Sequence, residues 1–106
     1  MYYTYMLRCD DGSLYTGYCT DYKRRYREHS SKGAKAAKYT RSHTAVALAA
    51  VWESNTKTQA TRLEYYIKTL SRDKKELLIS SDEMSVLEDK INILDYKRVS
   101  TDGDEL

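Results

Sequence analysis

The sequence predicts a small α/β (α+β) fold in the order strand–strand–helix–strand–helix, with further helical segments after it. Three observations carry this. Two short aromatic-rich runs, Tyr2–Arg8 and Leu14–Tyr18, flank the turn residues Asp10-Asp11-Gly12-Ser13. The run Ala45–Glu53 contains Val and Trp and stops at the turn signal Ser54-Asn55, which favours a buried strand over a helix. Leu63, Ile67 and Leu70 recur at helical spacing behind Thr56 and Thr58, either of which can cap.

Each element has a local reason. The first two strands make an antiparallel hairpin, with Tyr15-Thr16-Gly17 read as strand breaking into a turn. Thr20 or Asp21 can accept from the first N–H groups of a helix over Asp21–Ser31, which ends near Gly33. On that helix Arg25 and His29 lie four apart and share a face, as do Tyr22 and Tyr26 on a neighbouring stripe. Lys35–Arg41 reads as one or two basic helical turns. Ser71 opens a short helix through Ile79. Met84, Leu87, Ile91 and Leu94 then fall on one helical face, which predicts a helix over about 82–95. Ser100–Leu106 is polar and reads as a flexible tail.

With 106 residues the chain suits one domain carrying an extension. No apolar run approaches the ~20 residues of a membrane span, and the N-terminus lacks the pattern of a signal peptide, so a cytoplasmic protein without membrane contact is expected. Zinc is not expected: Cys9, Cys19, His29 and His43 would all be needed, at the wrong spacing. Charge is uneven. Lys23–Arg41 holds eight basic residues against Glu28, a balance of +7, whereas Ser81–Leu106 balances eight acids against three bases, −5. A basic region in a nearly neutral chain suits either a polyanionic partner or a solvated face.

The ordered set Tyr3-Thr4-Tyr5, Tyr15-Thr16-Gly17, Arg25 with His29, and Glu64 resembles the GIY-YIG nuclease family. The stretches L-R-C-D-D-G-S-L-Y-T-G, K-Y-T-R, E-Y-Y-I-K-T-L-S-R and K-K-E-L-L-I bring it close to the small single-domain bacterial members. The likeness covers about Tyr2–Ile79, so residues 1–80 read as the nuclease-like domain and 81–106 as an acidic extension. It implies a three-stranded antiparallel sheet flanked by helices and metal-dependent cleavage of DNA with low sequence specificity. It also implies roles: Tyr5 and Tyr15 as motif tyrosines, Arg25 for the phosphate, His29 as a catalytic histidine, and Glu64 as ligand of a single Mg²⁺ or Mn²⁺. Lys23, Arg24, Lys35, Lys38, Tyr39 and Arg41 are the expected nucleic-acid contacts. A monomer and a homodimer both stay open.

These residue types suit phosphodiester hydrolysis. Arginine neutralises an anionic phosphate through paired hydrogen bonds. Glutamate is a hard oxygen donor for Mg²⁺. A tyrosine or histidine can take the proton of the attacking water, although only about one tyrosine in a thousand is ionised at pH 7 without help. Some family members carry a lysine three residues after the second motif tyrosine, and here that position is Tyr18. Tyr3 replaces the first motif glycine, and Gly33–Arg41 is three residues longer than its counterpart. The alternative is a nucleic-acid-binding module with this fold and little catalysis.

Overall fold

The computed structural model describes residues 1–30 and 45–101, the side chains of His29 and Ser30 excepted. The expected segment Lys35–Arg41 and the tail beyond Thr101 lie outside the described residues. Strands β1 (Tyr2–Cys9), β2 (Leu14–Cys19), β3 (Ala45–Ser54) and β4 (Lys97–Val99) form one antiparallel sheet ordered β2-β1-β3-β4. Three helices are described: α1 (Tyr22–Ser30), α2 (Lys57–Lys68) and α3 (Arg72–Ser81).

Strand alternation divides the core in two. Thr4 and Met6 of β1 face one side, where Met6 packs with Ala50, Trp52, Leu63, Ile67, Leu78, Leu87 and Ile91. The buried Thr4 hydroxyl is satisfied there by the Ala60 carbonyl at 2.9 Å. Tyr3, Tyr5 and Leu7 face the other side, where Tyr22 and Tyr26 of α1 close a smaller cluster with Val51. Thus α2 and α3 cover one face and α1 the other. The caps follow local chemistry. Asp21 Oδ1 accepts from Arg24 N at 3.1 Å, Thr56 and Gln59 make a reciprocal capping box, and Ser71 accepts from Lys74 N.

Two expectations are corrected. Gly17 sits inside β2 and not at its end. The helix expected over 82–95 is absent. Two 3₁₀ turns, Met84–Leu87 and Ile93–Asp95, lead instead into β4, which makes the sheet four-stranded. Asp82 takes a left-handed conformation (φ 52°) that ends α3. Its carboxylate accepts from Trp52 Nε1 at 2.9 Å and faces Arg98 at 3.7 Å. Arg98 also donates to the terminal α3 carbonyls of Leu78 and Ile79 at 2.9 and 3.0 Å. These contacts dock β4 on the edge that β3 would otherwise leave unpaired. Of the expected apolar stripe, Leu87 and Ile91 are buried, whereas Leu94 is 88% exposed. No helix among the described residues is long and apolar enough to cross a membrane.

A charged clasp joins α3 to the hairpin. Arg8 grips Glu76 with both terminal nitrogens (3.0 and 2.7 Å), Arg72 Nε joins at 3.0 Å, and Arg72 also donates to the Gly12 carbonyl at 2.7 Å. Hydrogen bonds from Arg8, then Arg72, outweigh partial burial and draw the Glu76 carboxyl down to about 2. Because the folded value is depressed, this stabilisation is present above the unfolded pKa of ~4.3 and is lost as pH falls toward 2. The carboxylate is more than a third exposed, so the effect is modest. Glu76→Gln should lower the melting temperature at pH 7 by about 2–6 °C. The gap to the parent should close below pH 4 in thermal melts; a gap independent of pH would exclude the ion pairs as its source.

Candidate functional site

The site is built on the register of β1 and β2. Tyr5, at the centre of β1, lies directly opposite Gly17. A Cβ placed on Gly17 would stand 2.6 Å from the Tyr5 hydroxyl oxygen, 2.8 Å from its Cζ and 3.2 Å from Tyr15 Cε2. The glycine therefore leaves the only surface on which the Tyr5 hydroxyl end can rest. Tyr15 lies beside it on the same face, with ring centroids 6.3 Å apart and planes tilted by 43°. Tyr5 is 2% exposed.

Helix α1 delivers Arg25 to this pair. Asp21 starts the helix, and Tyr22 and Tyr26 anchor one stripe of it to the tyrosine cluster, Tyr22 meeting Tyr3 edge-to-face at 5.1 Å. Arg25 then donates a hydrogen bond to the Tyr5 hydroxyl, and its Nη1 donates to Glu28 Oε1 at 2.7 Å. Burial, reinforced by neighbouring Tyr15, pushes the Tyr5 hydroxyl well above its ordinary range, and Arg25 only partly offsets this. Tyr5 is thus a neutral hydroxyl here. Burial likewise lifts the nearby Cys19 thiol to about 11, so it is not a poised nucleophile.

Glu64 belongs to the other layer. Lys57, Thr61, Glu64 and Lys68 form one stripe of α2. Its first member aims at the edge strand, with Lys57 Nζ 5.9 Å from the Tyr18 ring centroid. Helix α2 runs opposite to β2. Thr4, paired with Tyr18, bonds Ala60, and Arg72 beyond the helix end reaches Gly12 at the hairpin turn. Seven residues past Lys57 is about 10 Å of helix, equal to about three strand residues. Glu64 is therefore level with Tyr15, with edge strand β2 between them. Its carboxylate is 18% exposed and pairs with Lys68 Nζ at 2.9 Å.

Of the expected site residues, Tyr5, Tyr15 and Arg25 are brought together, and Glu64 flanks the same strand from its far face. His29 follows Arg25 by one turn of α1; its side chain lies outside the described residues, as do Lys35, Lys38, Tyr39 and Arg41. Lys23 and Arg24 lie exposed on α1. Sequence reasoning missed Glu28 as a site neighbour, although its isolation among eight cations was a signal. It also missed Lys57, which reaches Tyr18 from a distant segment. Among the described residues no three His, Cys, Asp or Glu side chains are grouped as a metal site.

Comparison with known proteins adds to this geometry. Residues 1–76 match the family model described as the GIY-YIG catalytic domain. A UPF0213 protein of Fusobacterium nucleatum is 46% identical over 91% of this chain and 93% of its own length. A UPF0213 protein of Halobacterium salinarum is 46% identical over 74% of this chain and 99% of its own length. The solution NMR structure of a UPF0213 protein from Bacillus halodurans is 44% identical, covers 82% of this chain and 96% of that one, and superposes with a TM-score of 0.48.

Proposed function

The chain belongs to the GIY-YIG family, and from that premise we propose that it is a divalent-metal-dependent DNA endonuclease of low sequence specificity. The observation that supports this best is the convergence of Tyr5, Tyr15 and Arg25 over Gly17, beside a strand whose other face carries Glu64. Arg25 neutralises the phosphate and the charge that grows on it in the transition state. The neutral Tyr5 hydroxyl is a donor that orients the phosphate or the attacking water. Tyr15 and His29 are the remaining candidates to accept the water's proton. Lys23, Arg24, Lys35, Lys38, Tyr39 and Arg41 hold the nucleic-acid backbone.

Glu64 suits a divalent ion. It is a hard oxygen donor, and Mg²⁺ or Mn²⁺ bound through one or two carboxylates keeps most of its ligands as water. Its partner Lys68 is a surface i,i+4 cation that holds it by only about 0.3–0.5 kcal/mol, which a divalent ion can displace. Bound there, the ion would supply charge neutralisation at phosphoryl oxygens and the leaving group.

The second reading, a DNA-binding module without catalysis, is favoured by the elevated Tyr5 hydroxyl and by Tyr18 at the family's lysine position. Incubating the protein with duplex, nicked, branched and single-stranded DNA separates the two. Cleavage of at least one form should appear with Mn²⁺ and vanish with a chelator, while binding survives the chelator. Binding without cleavage of any form would establish the module instead.

A further inference from the structure

We propose that Glu28 is a positioning residue, its carboxylate holding the Arg25 guanidinium against the Tyr5 hydroxyl before a phosphodiester arrives. This deepens the endonuclease reading and rests on it. The geometry is direct: Glu28 Oε1 takes the Arg25 Nη1 proton at 2.7 Å, while Arg25 also donates to Tyr5. The pair is partly withdrawn from water, the side chains being 27% and 18% exposed. The same carboxylate has a second arginine on its own helix, but Arg24 Nε stands at 3.9 Å and its side chain is 64% exposed. Glu28 is therefore committed chiefly to the arginine that meets the tyrosine.

The sequence sharpens the point. Glu28 is the only acid between Lys23 and Arg41, among eight cations. In a segment that faces a polyanion, an acid next to the phosphate-binding arginine repels the substrate. Such a charge is tolerable where it does internal work. An unrestrained arginine side chain holds about 2 kcal/mol of rotamer entropy. Fixing it in advance removes that cost from the transition state and leaves substrate affinity nearly unaffected. A solvated helix pair makes a different forecast: deleting the acid would only tighten DNA binding.

The test uses the full chain, with Glu28→Ala and Glu28→Gln compared under saturating single-turnover conditions. Glu28→Ala should cleave about ten- to a hundredfold more slowly. It should bind DNA in chelator no more weakly than the parent. Glu28→Gln, whose amide oxygen still accepts from Arg25, should recover most of the rate. NMR of the Arg25 side chain gives a readout independent of activity. Rotation of the guanidinium about Nε–Cζ should be slow in the parent and fast in Glu28→Ala. An unchanged cleavage rate in Glu28→Ala, or unchanged Arg25 rotation, overturns the proposal. If the parent cuts no DNA yet Arg25 is released in Glu28→Ala, the endonuclease reading fails and the positioning contact stands.

Discussion

Glu64→Gln is expected to lower metal-dependent DNA cleavage by about a thousandfold or more, the loss of several kcal/mol of charge stabilisation. The substitution keeps the side chain's volume and exchanges one anionic oxygen for an amide, a poor ligand for Mg²⁺. Folding should survive it. Glu64 lies beside the apolar stripe of α2, and the buried Ala60, Leu63 and Ile67 are untouched. Only the Lys68 pair is lost, a surface i,i+4 contact. DNA binding in chelator should stay at the parent level, since Glu64 contributes no positive charge. The decisive comparison is single-turnover cleavage by parent and mutant across a Mn²⁺ titration. Equal rates at every concentration would leave Glu64 as no more than the partner of Lys68.

Gly17→Ala should have the largest effect on stability, a fall in melting temperature of about 4–20 °C. The glycine lies in extended strand, where alanine is ordinarily gained without strain and restricts the unfolded chain by about 0.4–1 kcal/mol. Here the added methyl would meet the Tyr5 hydroxyl oxygen at 2.6 Å and Cζ at 2.8 Å. A tyrosine tip can swing away cheaply when it is in water, but Tyr5 is 2% exposed, packed by Val51 and held by Arg25. Overpacking of this kind costs about 1–3 kcal/mol, and each kcal/mol shifts the melting temperature of such a domain by about 4–8 °C. The double mutant Gly17→Ala with Tyr5→Phe removes the nearest contact and should recover part of the loss. Thermal melts of the four proteins test the coupling. A single mutant as stable as the parent would mean that Tyr5 does not rest on Gly17.

The sequence by itself determined the elements whose causes are local. The hairpin was legible because Asp10–Ser13 is turn chemistry between two aromatic runs. The three helices were legible because Asp21, Thr56 and Ser71 are caps acting on residues two or three positions away. Ala45–Ser54 was legible from its length and its Val and Trp. The motif tyrosines, Arg25 and Glu64 were nominated by order and resemblance, and family membership followed.

Only the tertiary structure decided the rest. Lys97–Val99 becomes a strand because β3 offers an unpaired edge and because Asp82 and Arg98 dock it. Its charged, three-residue pattern carries no strand signal, while the Met84–Leu94 spacing suggested a helix. The meeting of Tyr5, Gly17 and Arg25 depends on the pairing register of β1 with β2 and on how α1 lies across them. The separation of Glu64 depends on which face α2 covers. These are long-range packing outcomes, set by burying two apolar faces of one sheet at once, and no window of the chain contains them.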